Sequence, residues 1–256
     1  MSTNRWPSRL WIVRHGQSAG NVARDAADAG GLHRIPLDIR DVDVPLSDLG
    51  KGQAQALGRW FAAGHGGARP DIILTSPYVR ARETARLFRD AGGSDPEGPL
   101  CADERLREKE FGILDGLTVA GIRTEEPRQA EFRRLLGKFY HRPPGGESWC
   151  DVIFRLRALI DTISLHYAGR DVMIVGHQVV VLCLRYILEN LSESEILAID
   201  REGDVANCSV TEYEFDPQAA KDGALVLIRY NFIAPLESGL DTKITTAPDA
   251  IVGTRG

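Results

Sequence analysis

The chain has 256 residues and a mass of 28.1 kDa, with 31 basic and 36 acidic side chains and a formal net charge of −5. At 43% apolar and 26% charged residues it reads as an ordinary soluble globular protein, long enough to bury a core without a disulfide or metal staple. The acidic excess argues against nucleic acid as the main partner, and no apolar run reaches the ~20 residues that a membrane span needs.

Arginine outnumbers lysine 26 to 5, which fits either codon usage or bidentate anion recognition. Cys101, Cys150, Cys183 and Cys208 show no C-x-x-C spacing and are read as small hydrophobes rather than disulfide or zinc partners. The opening residues carry no apolar stretch of the kind a secretory signal uses, so a cytoplasmic location is expected.

In chain order, Arg9 to Val13 predicts a short buried strand, and Asp48 to Ala62 a helix with Leu49, Ala56, Leu57, Trp60 and Phe61 on one face. Asp71 to Leu74 predicts a second strand. Ser76 then suits a helix cap and Pro77 the first helical position of a helix reaching Asp90. Leu117 to Gly137 reads as helical with interruptions. Ser148 and Asp151 form a capping pattern ahead of a long amphipathic helix through Ile163. Asp171 to Val175 is an apolar strand, Val179 to Leu188 a helix, and Asn207 to Phe215 with Ala224 to Ile233 a pair of strands. Residues 22–43 are read as a loop. Short apolar strands alternating with amphipathic helices predict an α/β fold, a three-layer α/β/α sandwich on a mostly parallel sheet. Residues 1–234 are expected to form one domain, with a cap-like insertion at about 117–147. The tail over 235–256 is expected to be disordered or to fold over the mouth of the site.

Sites in such sheets lie beyond the carboxyl ends of the strands. That rule selects Arg14-His15-Gly16, Ser76 to Arg80, and Gly176-His177-Gln178. A lone histidine is more often structural than catalytic, but His15 and His177 follow equivalent strands and have glycine neighbours that let a ligand approach the backbone. On the helix after Pro77, Arg82, Arg86 and Arg89 share one face and read as solvated. Arg80 points away from them in the first turn, where the helix dipole favours an anion. Glu108 sits in a run of charges, and composition alone does not distinguish it from its neighbours.

Arg14-His15-Gly16-Gln17-Ser18 with Asn21 resembles the R-H-G-[EQ]-S-x-x-N signature of the histidine phosphatase superfamily, which includes cofactor-dependent phosphoglycerate mutases. The likeness continues through Val44 to Gly50, Thr75 to Arg80, Leu106-Arg107-Glu108, Pro144 to Ser148 and Val175-Gly176-His177, in that order. It implies a phosphoglycerate mutase-like fold. It also implies that His15 is the nucleophile that becomes phosphohistidine, that Arg14, Arg80 and His177 form the phosphate pocket, and that Glu108 is the proton donor. Gln17, Asn21 and Gln178 would belong to the shell around phosphate or substrate, and Glu147 would either touch substrate or hold its loop.

Mutases of this superfamily carry G-H-G-N at the second histidine, whereas this chain has Gly176-His177-Gln178-Val179, closer to fructose-2,6-bisphosphatase domains. The resemblance therefore implies a phosphomonoesterase for a small phosphorylated metabolite, releasing inorganic phosphate. A 2,3-bisphosphoglycerate-dependent mutase and a phosphohistidine protein phosphatase are the alternatives, and the intact set Arg14, His15, Arg80, Glu108 and His177 argues against a non-enzymatic scaffold. No metal and no cofactor are expected, except 2,3-bisphosphoglycerate for a mutase, and a homo-oligomer is left open. Arg24, His33, Arg34 and Arg40 in the 22–43 segment, with Arg123, Arg128, Arg133, Arg134, His141 and Arg142 in the insertion, are either readers of a second anionic group or solvated surface.

Overall fold

β1 (Arg9–Arg14) and β4 (Asp171–Gly176) pair in parallel at the centre of a six-stranded sheet. β2 (Ile72–Thr75) joins the far side of β4 and β3 (Leu100–Ala102) the far side of β2, both in parallel. β5 (Val210–Asp216) and β6 (Ala224–Phe232) complete the order β3-β2-β4-β1-β5-β6 with antiparallel pairings. The sheet is mixed, with its parallel part carrying the strand ends singled out above. These features come from a computed structural model that describes residues 5–233; the 235–256 tail lies outside the described residues.

The alternation of side chains across the sheet explains the three layers. Leu10 and Ile12 of β1 with Val172 and Ile174 of β4 face one core, packed against α6 (Trp149–His166) and α7 (Gln178–Leu188). Trp11 and Val13 with Met173 and Val175 face the other, packed against α2 (Asp48–Ala62) and α3 (Val79–Asp90). Every side chain from Leu10 to Val13 is fully buried. A strand buried on both faces has to read as a continuous apolar run, which is why RLWIV carries no polar alternation.

Two differences from the sequence expectation concern the site. Residues 22–43 are not all loop: α1 (Ala19–Ala29) opens this segment. Along it Ala19, Val22, Ala23, Ala26 and Ala27 recur at helical spacing, although only Asn21 and Ala27 are buried. Its start is fixed by a capping box in which Ser18 and Asn21 exchange side-chain and backbone hydrogen bonds. Secondly, the helix after β2 starts at Val79 rather than Pro77, with Tyr78 in the capping position and no side-chain cap. That leaves Ser76 free of the helix and available at the end of β2.

The insertion folds as α4 (Val119–Glu125) and α5 (Pro127–Tyr140), with Gly137 at φ 79 breaking the helical path. Ser148 and Asp151 form the expected capping box on α6. A further helix, α8 (Glu193–Glu202), has its own Ser192–Glu195 capping box, an S-x-x-E pattern legible in the sequence but outside the elements expected there.

Candidate active site

The sheet register brings the two histidines together. Arg14 is opposite Gly176, and the next amide, that of His15, donates to the Gly176 carbonyl at 2.9 Å. The imidazoles of His15 and His177 therefore leave adjacent strands and meet edge to face, with ring centroids 5.1 Å apart. Both are buried. The turn after His15 lies directly on the start of α2: a Cβ on Gly16 would stand 2.6 Å from the Gly50 carbonyl oxygen, and one on Gly50 2.0 Å from that of Gln17. Glycine is required at both positions by close approach of backbones.

The His15 tautomer follows from its neighbour. Its Nδ1 lies 2.7 Å from the Gly16 carbonyl oxygen, an atom that only accepts. Nδ1 therefore carries the hydrogen and Nε2 holds the lone pair. Burial, then the positive charges of Arg80 and Arg14, hold the His15 pKa well below the ordinary imidazole value, so the ring is neutral at physiological pH. His177 is shifted in the same direction by burial, Arg80 and His15. Its Nε2 is 2.8 Å from the Ser76 hydroxyl, and its buried Nδ1 has no hydrogen-bond partner.

Two guanidiniums flank this pair. Arg14 is buried and donates to the Val205 carbonyl; burial lowers its pKa to about 10 against the raising influence of Asp204 and Glu108, so it stays charged. Arg80, on the first turn of α3, stacks over Tyr78 and donates to the Asp41 carbonyl at 2.6 Å and to Asp41 Oδ2 at 3.0 Å. Glu108 completes the group. It is 4% exposed, and burial raises its pKa to about 7 although the Lys109 amide, Arg80, Arg14 and Arg155 all favour the carboxylate. Arg14, His15, Arg80 and Glu108 line one cleft of about 270 Å³, together with Ser18, Asn21 and Arg24 from the α1 region.

The remaining expected residues divide. Asn21 lines the cleft while its side chain caps α1. Gln17 is turned away into the α2 contact, where its Oε1 accepts from the Ser47 hydroxyl at 2.7 Å. Gln178 is absent from the cleft wall; it donates to Asp204 at 2.9 Å and accepts from the Val205 amide at 3.0 Å, thereby fixing the segment whose carbonyl receives Arg14. Glu147 forms a two-pronged ion pair with Arg155 at 2.9 and 3.0 Å and accepts from the Glu110 amide. Burial opposes its ionisation, but Arg155 prevails and holds its pKa below the usual range. Of the two roles open to Glu147, these contacts are the loop-holding ones.

The insertion arginines lie away from the cleft wall. Arg123 and Arg128 are exposed, Arg134 pairs with Glu131 and Arg142 with Asp151. Arg133 and His141 line a small cavity of about 20 Å³ that adjoins the cleft, sharing Arg24, Asp115 and Gly116 with it. Ser76 lies in the strand-end stretch that the sequence selects, and here it holds His177; Asp41 and Asn207, whose side chain donates to the His15 carbonyl at 2.9 Å, lie outside the stretches that the sequence selects. Ser76 carries a sequence signal, adjacency to a strand end; Asp41 and Asn207 carry none. Among the described residues, no group of three or more His, Cys, Asp or Glu is arranged to hold a metal ion, and no helix is long and apolar enough to cross a membrane.

Paired imidazoles, two buried guanidiniums and one high-pKa carboxyl at the ends of a parallel sheet define a phosphoryl-handling class of enzyme. The chain belongs to the histidine phosphatase superfamily (branch 1), whose family model matches residues 10–223. Among its relatives, a 2,3-bisphosphoglycerate-dependent phosphoglycerate mutase 2 from Gloeobacter violaceus is 29% identical over 197 residues, covering 75% of this chain and 81% of the relative. Among solved structures, a mycobacterial glucosyl-3-phosphoglycerate phosphatase in complex with inorganic phosphate superposes with a TM-score of 0.65 at 26% identity, over 89% of this chain and 99% of that one. Bacillus stearothermophilus YhfR gives a TM-score of 0.67 at 27% identity, over 89% and 98%. Phosphatases and mutases thus both stand among its neighbours.

Proposed function

We propose that the protein is a phosphomonoesterase working through a phosphohistidine on His15. The observation that carries this reading is the state of His15: neutral, with Nδ1 held by the Gly16 carbonyl and the Nε2 lone pair available between two arginines. A neutral, orientated imidazole is the form that attacks phosphorus. Arg14 and Arg80 would take the charge that spreads over the equatorial oxygens, and His177, whose buried Nδ1 has no partner, would be the second imidazole at the phosphate. Phosphate would replace the Asp41 carboxylate on Arg80.

With a pKa of about 7, Glu108 is substantially protonated at neutral pH. It would give its proton to the leaving alkoxide, and the resulting carboxylate would take a proton from the water that hydrolyses phosphohistidine. Acid–base assistance of this kind is typically worth ~10²–10⁴-fold. In this scheme cationic side chains do the work of a metal, and the small phosphorylated substrate and inorganic phosphate are the only small-molecule partners. A glucosyl-3-phosphoglycerate phosphatase at 26–27% identity over most of the chain supports hydrolysis, while mutase relatives at 29–31% identity keep mutase transfer as the alternative.

The test is brief exposure to a ³²P-labelled phosphate monoester followed by acid and alkaline quenches. Acid-labile, alkali-stable label on the wild-type chain, absent from His15→Ala, is expected, with turnover indifferent to EDTA. Full turnover by His15→Ala, or loss in EDTA, would overturn the scheme. Phosphate release independent of added 2,3-bisphosphoglycerate separates the phosphatase from the mutase reading.

A further inference from the structure

Three aliphatic side chains line the cleft beside the phosphate pocket. Between α1 and the short turn at Asp41–Asp43 the chain runs as a strap without regular secondary structure, and Ile35, Leu37, Ile39 and Asp41 all line the cleft; Ile35 and Leu37 are half-buried and Ile39 is 48% exposed. Alternate residues of the strap thus put three aliphatic side chains at the cleft, ending in Asp41, with the Leu37 amide turning back on the Ile35 carbonyl at 2.8 Å. The strap is anchored at both ends. Arg34 bridges to Leu117, the Ile35 amide donates to the Gly116 carbonyl at 2.9 Å, and at the other end Asp41 accepts twice from Arg80. In the middle, Leu37 reaches to within 3.9 Å of where a Cβ on Gly20 of α1 would lie.

The charges on the same cleft support the same conclusion. Beyond Arg14, Arg80 and Glu108, its ionisable walls are Arg24, Asp41 and Asp115. Arg24 is close enough to Asp115 to oppose the rise in carboxyl pKa that burial and Asp41 impose there. One cation against two carboxylates leaves no surplus positive charge for a second phosphate, whose desolvation would go uncompensated.

Taking the phosphatase reading as its basis, we infer that the preferred substrate is a monophosphate ester of an alcohol with an apolar body and no second anionic group, and that Ile35, Leu37 and Ile39 read that body. Polyanions such as bisphosphates would be poor substrates. This assigns specificity to the 35–41 strap and not to the arginines of α4 and α5.

The experiment is a series of n-alkyl phosphates, ethyl, butyl and hexyl, with 1,6-hexanediol bisphosphate, in which the leaving-group chemistry is held constant. A fully buried methylene is worth about fourfold in binding, and a wall that is half-exposed about half of that in free energy, or about twofold, so kcat/KM is expected to rise about 16-fold over the four methylenes from ethyl to hexyl. Hexyl phosphate should exceed the bisphosphate by a similar factor. In the double variant Leu37→Asn/Ile39→Asn the hexyl-to-ethyl ratio should fall towards one, and in Leu37→Arg preference should move to the bisphosphate. A flat alkyl series or a preferred bisphosphate, with ethyl phosphate still hydrolysed through labelled His15, overturns the strap assignment alone. Absence of both label and phosphate release from every ester overturns the phosphatase reading, and this inference with it.

Discussion

Glu108→Gln should make the protein more stable, and by an amount that depends on pH. The carboxyl has an ordinary value of 4.5 and a folded value of about 7, raised mainly by burial. The folded state therefore binds the proton more tightly than the unfolded one, and stability falls as pH rises from about 4.5 through about 7, then levels off. Integrating over that window at 1.36 kcal/mol per pKa unit gives a cost of about 1 kcal/mol at pH 5 and about 3 kcal/mol at pH 8. Glutamine keeps the shape and can still accept the Lys109 amide, but cannot ionise. Urea unfolding of the two proteins at pH 5 and pH 8 measures the difference directly. The variant should gain about 2 kcal/mol more at pH 8 than at pH 5, while phosphatase turnover falls. An equal gain, or none, at both values would refute the claim that the burial cost of the Glu108 carboxylate outweighs the Lys109 amide and the three arginines around it.

Three further outcomes are expected. The alkaline limb of kcat/KM should fall above about pH 7, where Glu108 loses its proton, and Glu108→Asp should move that limb, as a pH–rate profile would show. Ser76→Ala removes the 2.8 Å partner of His177 and leaves a buried nitrogen unpaired, so it should cost about 1–3 kcal/mol in chemical denaturation and at least about tenfold in turnover. Gly50→Ala would set a methyl group 2.0 Å from the Gln17 carbonyl oxygen, and forcing α2 off the His15 turn should lower stability by about 3 kcal/mol in a thermal melt read at matched conditions.

What the sequence made legible follows from how each residue is encoded. β1 and β4 are apolar throughout because both faces are buried, so their ends, and with them His15 and His177, could be located before any geometry was known. Arg80 was separable from Arg82 and Arg86 by helical angle, and the structure buries Arg80 while leaving those two exposed. Glu108 was different: its identity as the buried carboxyl in a run of charges came from resemblance, because nothing local distinguishes it from Glu104 or Glu110. Gln17 and Gln178 show the limit of motif-based assignment. Their side chains hold backbone segments beside the cleft and do not line it, a distinction set by rotamer and tertiary contact. α1 has apolar residues at helical spacing, Ala19, Val22, Ala23, Ala26 and Ala27, but all of these except Val22 are alanines, so the pattern is a weak one. Asp41 and the aliphatic face of the strap depend on where an irregular segment folds back, which no local pattern encodes.

The antiparallel half of the sheet gives the parallel half a particular freedom. Adjacent strands in any sheet lie ~4.8 Å apart because backbone hydrogen bonds have one length. The two imidazoles inherit that interval, since each is the first residue beyond one of two paired strands and their centroids stand 5.1 Å apart. Their spacing is thus a lattice constant of the backbone, flanked on one side by β2 and on the other by β5. The 35–41 strap, α4 and α5 contribute no strand to it. Mutational drift in those segments can exchange one alcohol for another while the distance between the histidines stays unaltered.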